Sequence, residues 1–161
     1  MIDKKYVTVR TKEQLKELAT HISESEEIAF DIETDSLNPR TGQIIGWSVS
    51  GKVGVGYYLP TLIYNPTTDS FDEQFIEGVS NHTISKKLFE LLKSKKIIAH
   101  NFSFDGKFVK SYYGIDLIPF LWADTILLVH TVFEEGAFGY GSPFGLKSIA
   151  IMNQEELGLD A

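Results

Sequence analysis

Apolar and polar positions alternate along Ile28-Ala29-Phe30-Asp31-Ile32-Glu33. On a strand this alternation puts Ile28, Phe30 and Ile32 on one face and Ala29, Asp31 and Glu33 on the other. Gln43 to Ser50 alternates in the same way, with Ile45, Trp47 and Val49 together, and so does Val53 to Leu59, with Val53, Val55, Tyr57 and Leu59 together. Gly51-Lys52 between these runs suits a two-residue hairpin turn, so the three strands read as an antiparallel meander. Upstream, Tyr6-Val7-Thr8-Val9 is a short β-prone run. Thr11 then caps a helix, with Gln14 completing a capping-box pattern and Leu15, Leu18, Ala19 and Ile22 forming one apolar stripe. Asn38-Pro39 and Gly42 mark a turn after the first meander strand.

Downstream the period changes. Residues 61 to 82 are polar, turn-rich and aperiodic, and predict a long surface loop with a short helical turn at 71–77. A helix starts at Thr83 or Ser85, carries Ile84, Leu88, Leu91 and Leu92 on one face, and closes at Lys93-Ser94-Lys95-Lys96. Ile97-Ile98-Ala99 predicts a buried strand. Phe104 to Tyr113 predicts a helix ending at Gly114, and Leu117 to Ala123 a return to the sheet. Asp124-Thr125 caps a further helix, a Gly-rich loop spans 134–142, and a last helix covers 146–152. A meander followed by α-β-α-β-α predicts a mixed sheet with flanking helices, in one domain over 1–161.

Composition narrows the classes of function. The 161 residues, 43% hydrophobic and 23% charged, are ordinary globular values. No apolar run approaches the length of a membrane span, and Met1-Ile2-Asp3-Lys4-Lys5 lacks a signal-peptide core. The absence of cysteine excludes disulfides, thiolate metal sites and cysteine nucleophiles, and fits a cytoplasmic protein. A net charge of −7 argues against binding nucleic acid through a basic surface, yet permits phosphates met by bound cations.

The candidate chemistry lies in two stretches. Asp31 and Glu33 end an apolar strand side by side on one face, and ionised carboxylates are costly to bury unless paired or bound to a cation. Asp-x-Glu alone is short and common. The second stretch, His100-Asn101-Phe102-Ser103-Phe104-Asp105, places Asp105 in the first turn of a helix just after a strand. An Asp there can simply be a cap. Asp124 reads as a helix cap, His100 as a side chain packed or hydrogen-bonded beside the sheet, His130 as a surface or core residue, and His21 and His82 as solvated.

Taken in order, these stretches resemble a family. Phe30-Asp31-Ile32-Glu33-Thr34-Asp35-Ser36-Leu37 is similar to the first motif of the DEDD (DnaQ-like) 3′–5′ exonucleases, and His100 to Asp105 to the second, Asn-x3-Asp. Ala123-Asp124-Thr125-Ile126-Leu127 and Gly145-Leu146-Lys147-Ser148-Ile149-Ala150 resemble two further landmarks of the proofreading domain of family A DNA polymerases, bacterial or phage. The resemblance covers about Tyr6 to Met152. It implies an RNase H-like fold and a two-metal site for Mg²⁺ or Mn²⁺ held by Asp31, Glu33 and Asp105, with Glu33 also orienting the attacking water. It implies that Thr34, Leu37, Asn101 and Phe104 contact the nucleic acid, Leu37 as a wedge against the terminal base and Phe104 as a pocket wall. For Leu37 and Phe104, ordinary core packing is the competing reading. The implied partners are a single-stranded DNA 3′ end and a polymerase domain of the same or a separate chain.

The third family motif, Tyr-x3-Asp or His-x4-Asp, has no counterpart before Ala161, and the acids of the tail at 154–160 stand in a different setting. The expectation is therefore a domain truncated at its C-terminus, lacking the fourth metal-binding acid and weak or silent as it stands. Two other readings stay open: a catalytically silent binding module that keeps the fold, and an RNase D-like RNA 3′ exonuclease.

Overall fold

The computed structural model describes residues 3–132 and 144–152. In chain order these form β1 (Lys5–Thr8), α1 (Lys12–Glu24), β2 (Glu27–Thr34), β3 (Ile44–Lys52), β4 (Val55–Pro60), β5 (Leu62–Asn65), β6 (Ser70–Glu73), β7 (Phe75–Ile76), β8 (Val79–Ser80), α2 (Asn81–Leu92), β9 (Lys96–Ala99), α3 (Phe102–Tyr113), a 3₁₀ turn (Ile118–Phe120), β10 (Leu121–Asp124), α4 (Thr125–Val132) and α5 (Leu146–Met152). The predicted Gly-rich loop at 134–142 and the acidic tail lie outside the described residues.

Among the described residues the main sheet has six strands in the order β1-β4-β3-β2-β9-β10. The meander β2-β3-β4 is antiparallel, while β1 on β4, β9 on β2 and β10 on β9 are parallel. This is the mixed α/β architecture that the patterning predicts.

The alternation in β2 decides which face is covered. Ile28, Phe30 and Ile32 are buried, and Ala29, Asp31 and Glu33 are exposed. The buried face packs against Leu18 and Ile22 of α1, Leu88, Phe89 and Leu92 of α2, and Phe102, Phe108 and Val109 of α3. Phe30 meets Phe89 edge-on at 5.6 Å between ring centroids, and Trp47 lies 4.9 Å from Phe89. The indole N–H of buried Trp47 donates to Ser85 Oγ at 2.8 Å, so the core carries a satisfied polar contact. At the start of α1, Thr11 accepts from the Gln14 N–H and Gln14 reaches back to the Thr11 N–H, the reciprocal cap its sequence predicts.

Several expectations are corrected. The β3–β4 turn lies at Val53-Gly54, not Gly51-Lys52, because the left-handed position falls on Gly54 at φ 79°. Gly51 is a glycine for another reason: a Cβ there would collide with Ser25 just after α1. Displaced to the turn, Val53 is exposed. The stretch 61–82 is not a loop with a helical turn but two small hairpins, β5–β6 and β7–β8, and α2 begins at Asn81 with Ser80 as its cap. These strands are only two to four residues long and mostly exposed, with Ile76 alone among them reaching the core, so hydrophobic periodicity is silent about them. The predicted strand at 117–123 opens as the 3₁₀ turn and pairs only from Leu121. Neither His21 nor His82 is solvated. His21 Nε2 accepts the Gly51 N–H at 2.8 Å, and burial holds its pKa down. His82 stacks on Tyr113 at 4.5 Å.

Candidate active site

Beyond Ala29, β2 loses one neighbour. Pairing with β9 ends at Ala29↔Ile98, while pairing with β3 continues to Thr34. The edge of β2 is therefore open where Asp31 and Glu33 sit on the uncovered face. The Ile32 N–H on that stretch donates to Asp105 Oδ1 at 3.2 Å. Asp105 is only 3% exposed, so the first turn of α3 delivers a buried carboxyl to the strand end.

Asp124 holds α3 in that position. From the end of β10 its carboxylate accepts the N–H groups of Asn101 (2.8 Å) and Phe102 (2.9 Å), and it also accepts the Ile126 N–H at 3.1 Å. The cap role predicted for Asp124 thus extends to two helices, its own and α3, a long-range contact that its local sequence does not display. Thr125 donates to the Ala99 carbonyl at 3.2 Å and pairs with His100 Nδ1 at 2.8 Å, as expected for a histidine hydrogen-bonded beside the sheet. With the hydroxyl proton on Ala99, the ring nitrogen is the donor.

The electrostatics follow from this crowding. Burial first, then the Asp31 charge and, least, that of Asp124, push the Asp105 carboxyl up to about 7 against the opposing N–H groups of Ile32 and of Asp105 itself. Asp31 also rises, first through lost hydration and then through Glu33 beside it. Asp31 is exposed by surface area, so its shift reflects a carboxylate wet on one side and confined on the other. Like charges that neighbour one another favour proton retention or a cation.

Among the described residues no group of three or more His, Asp or Glu side chains is arranged to hold a metal ion. The donor chemistry nevertheless fits a divalent cation. Asp31, Glu33 and Asp105 are hard oxygen donors, and the buried Asp105 carboxyl has a single backbone donor from the neighbouring strand while burial and the charges of Asp31 and Asp124 all disfavour its ionised form.

The other predicted contacts cluster in two places. Thr34 and Leu37 continue from β2: Thr34 donates its hydroxyl to the Ser36 carbonyl at 2.8 Å, and Leu37 is 85% exposed, so it is not a core residue. Asn101 and Phe104 stand at the start of α3. Asn101 is exposed in the left-handed conformation at φ 61°, and Phe104 is half-buried, its ring 5.0 Å from that of Phe108. The uncovered face holds a groove of about 410 Å³ whose lining includes Asp31, Ser48, Tyr58, His100 and Thr125. Tyr58 escaped the sequence reading; the available signal was Gly46, an isolated glycine inside a strand.

The mixed sheet with its flanking helices is an RNase H-like fold. The family model for 3′–5′ exonucleases matches residues 6–149, and the chain belongs to that family. It is 33% identical over 130 residues to the DNA polymerase I of Borreliella burgdorferi, a match covering 80% of this chain and 13% of that protein. The chain thus spans a small part of the length of this curated relative. In fold it is similar to RNase D of Escherichia coli, with TM-score 0.57, 16% identity, and coverage of 93% of this chain and 33% of the other. It is likewise similar to Brucella melitensis NrnC with bound Mg²⁺, with TM-score 0.56, 19% identity, and coverage of 96% and 63%. No helix among the described residues is long and apolar enough to cross a membrane.

Proposed function

We propose that the chain removes nucleotides from the 3′ end of single-stranded DNA as the proofreading partner of a polymerase domain. The observation that supports this reading is the position of Asp31 and Glu33 on the exposed face of β2, with the Ile32 N–H between them in sequence bonded to the buried Asp105 carboxyl. Asp31, Glu33 and Asp105 would hold Mg²⁺ or Mn²⁺, which when bound supplies a nucleophilic hydroxide and stabilises charge on the phosphodiester. The exposed Glu33 carboxylate accepts a proton from the attacking water and aims it. Leu37 offers apolar area to the terminal base. Thr34, its proton committed to Ser36, offers its backbone and its oxygen to the terminal nucleotide. Asn101 offers its amide to the nucleic-acid backbone, and Phe104 walls the pocket. The kinship with a DNA polymerase supports DNA over RNA as substrate.

The test is digestion of 3′-labelled single-stranded DNA and RNA of one sequence with Mn²⁺. The chain is compared with an Asp31→Ala/Glu33→Ala variant. Slow mononucleotide release from DNA, lost in the variant, is the expected result. Preference for RNA would assign the RNase D-like activity instead. Equal release by both chains would remove these acids from the chemistry. Binding of DNA without release by either would favour a silent binding module.

A further inference from the structure

The register of the meander places Asp31, Ser48 and Tyr58 in one cross-strand row, and Glu33, Gly46 and Pro60 in the next. Residues directly opposite one another share a face. Tyr58 does not stay in its own row. A Cβ built on Gly46 would collide with the Oη and Cζ of Tyr58 and lie 2.7 Å from its Cε2. The phenol thus fills the side-chain position that Gly46 leaves empty, directly opposite Glu33. Opposed Cβ atoms in such a pair stand roughly 4.5–5.5 Å apart, so the hydroxyl sits within reach of the Glu33 carboxylate. Glu33 in turn raises the Tyr58 pKa, after partial burial, as a neighbouring negative charge must. Among the described residues the Tyr58 hydroxyl takes no hydrogen bond, and its side chain is half-buried beside the groove that also holds Asp31.

We propose that Tyr58 is a positioning residue for the acid cluster. Its hydroxyl donates to Glu33, or to the water Glu33 orients, and Gly46 is the slot that admits it. This rests on the exonuclease reading above. A phenol there holds the Glu33 carboxylate in one rotamer while leaving its second oxygen free to accept from water. It adds a neutral donor to a site crowded with negative charge, where another carboxylate would add repulsion.

The experiment is a double-mutant cycle on the full chain with Tyr58→Phe, Glu33→Gln and the double variant. It is read as the rate of Mn²⁺-dependent DNA digestion and as Mn²⁺ affinity by electron paramagnetic resonance. Tyr64→Phe, whose hydroxyl bonds exposed Asp69 on the β5–β6 hairpin, is the control for losing a tyrosine hydroxyl elsewhere. Tyr58→Phe should lower the digestion rate about tenfold when Glu33 is present, about 1.4 kcal/mol of barrier, and have no effect in the Glu33→Gln background. Gly46→Ala should reproduce the loss by expelling the phenol. A rate unchanged by Tyr58→Phe, or lowered equally in both backgrounds, would overturn the assignment and leave Tyr58 a packing residue. If no version digests DNA, the exonuclease reading fails by itself, and Mn²⁺ affinity then decides. Non-additive effects of Tyr58→Phe and Glu33→Gln support the contact, and additive effects overturn it.

Discussion

Asp105→Asn should make the metal-free protein more stable at pH 8 and abolish its response to divalent metal. The native state holds the Asp105 proton up to about 7, while an unstructured Asp releases it near 3.8. Between those values the folded chain binds more protons than the unfolded one, so this residue's stabilising contribution is complete below the lower value and is lost as the pH rises through the upper one. Over roughly three pH units the loss amounts to about 4 kcal/mol. An amide at 105 keeps an oxygen for the Ile32 N–H but buries an NH₂ that needs a partner, at a cost of about 1–2 kcal/mol. The net gain at pH 8 is therefore about 2 kcal/mol, or roughly 4–8 °C in melting temperature for a domain of this size. At pH 5 the gain should vanish or reverse, because the native carboxyl is already neutral. The assay is thermal denaturation in EDTA from pH 4 to 8, read as the difference between the two chains so that other titrating groups cancel, then repeated with Mn²⁺. A ligand that binds only the folded form stabilises it by mass action, so Mn²⁺ should raise the melting temperature of the parent chain and not of the variant. A flat difference curve, or a variant less stable than the parent in EDTA at pH 8, would refute the argument that this buried carboxylate is a net destabilising charge awaiting a cation.

Three further outcomes are expected. Asp124→Ala should lower metal-free stability by about 2–4 kcal/mol, because three backbone N–H groups lose a charged acceptor; urea denaturation measures this, and a loss below about 0.5 kcal/mol would show that Asp124 does not hold α3. Ser85→Ala should cost about 1–3 kcal/mol by leaving the buried Trp47 indole N–H without an acceptor, again read in urea, with an unchanged midpoint contradicting it. Leu37→Ala should leave stability within about 0.5 kcal/mol, given its exposure, while raising KM for single-stranded DNA; a fall in melting temperature with KM unchanged would return Leu37 to the core.

Local pattern alone sufficed for β2, the meander, the capped α1 and the order of helices after it, because each such element has one face to bury and the period of its apolar residues records which. The pairing of Asp31 with Glu33 on an uncovered face was equally legible, since a strand allows only two sides. Residues 61–80 were not, because strands of two to four mostly exposed residues are too short to show a period, and Gly51 was misread because a glycine required by packing looks like one required by a turn. The rest depended on contacts between residues distant in the chain. Where β9 stops pairing decided that the Ile32 N–H would meet Asp105, 73 positions away. Asp124 pins α3 across 22 and 23 positions, and the vacancy at Gly46 admits Tyr58 from the next strand. Such pairings follow from sheet order and register, and the neighbouring residues of a single stretch carry no trace of them. Composition records that the chain is acidic. Only the fold decides which carboxylates are forced together and so which of them hold a proton near neutrality, because burial and mutual repulsion, not residue type, set that value.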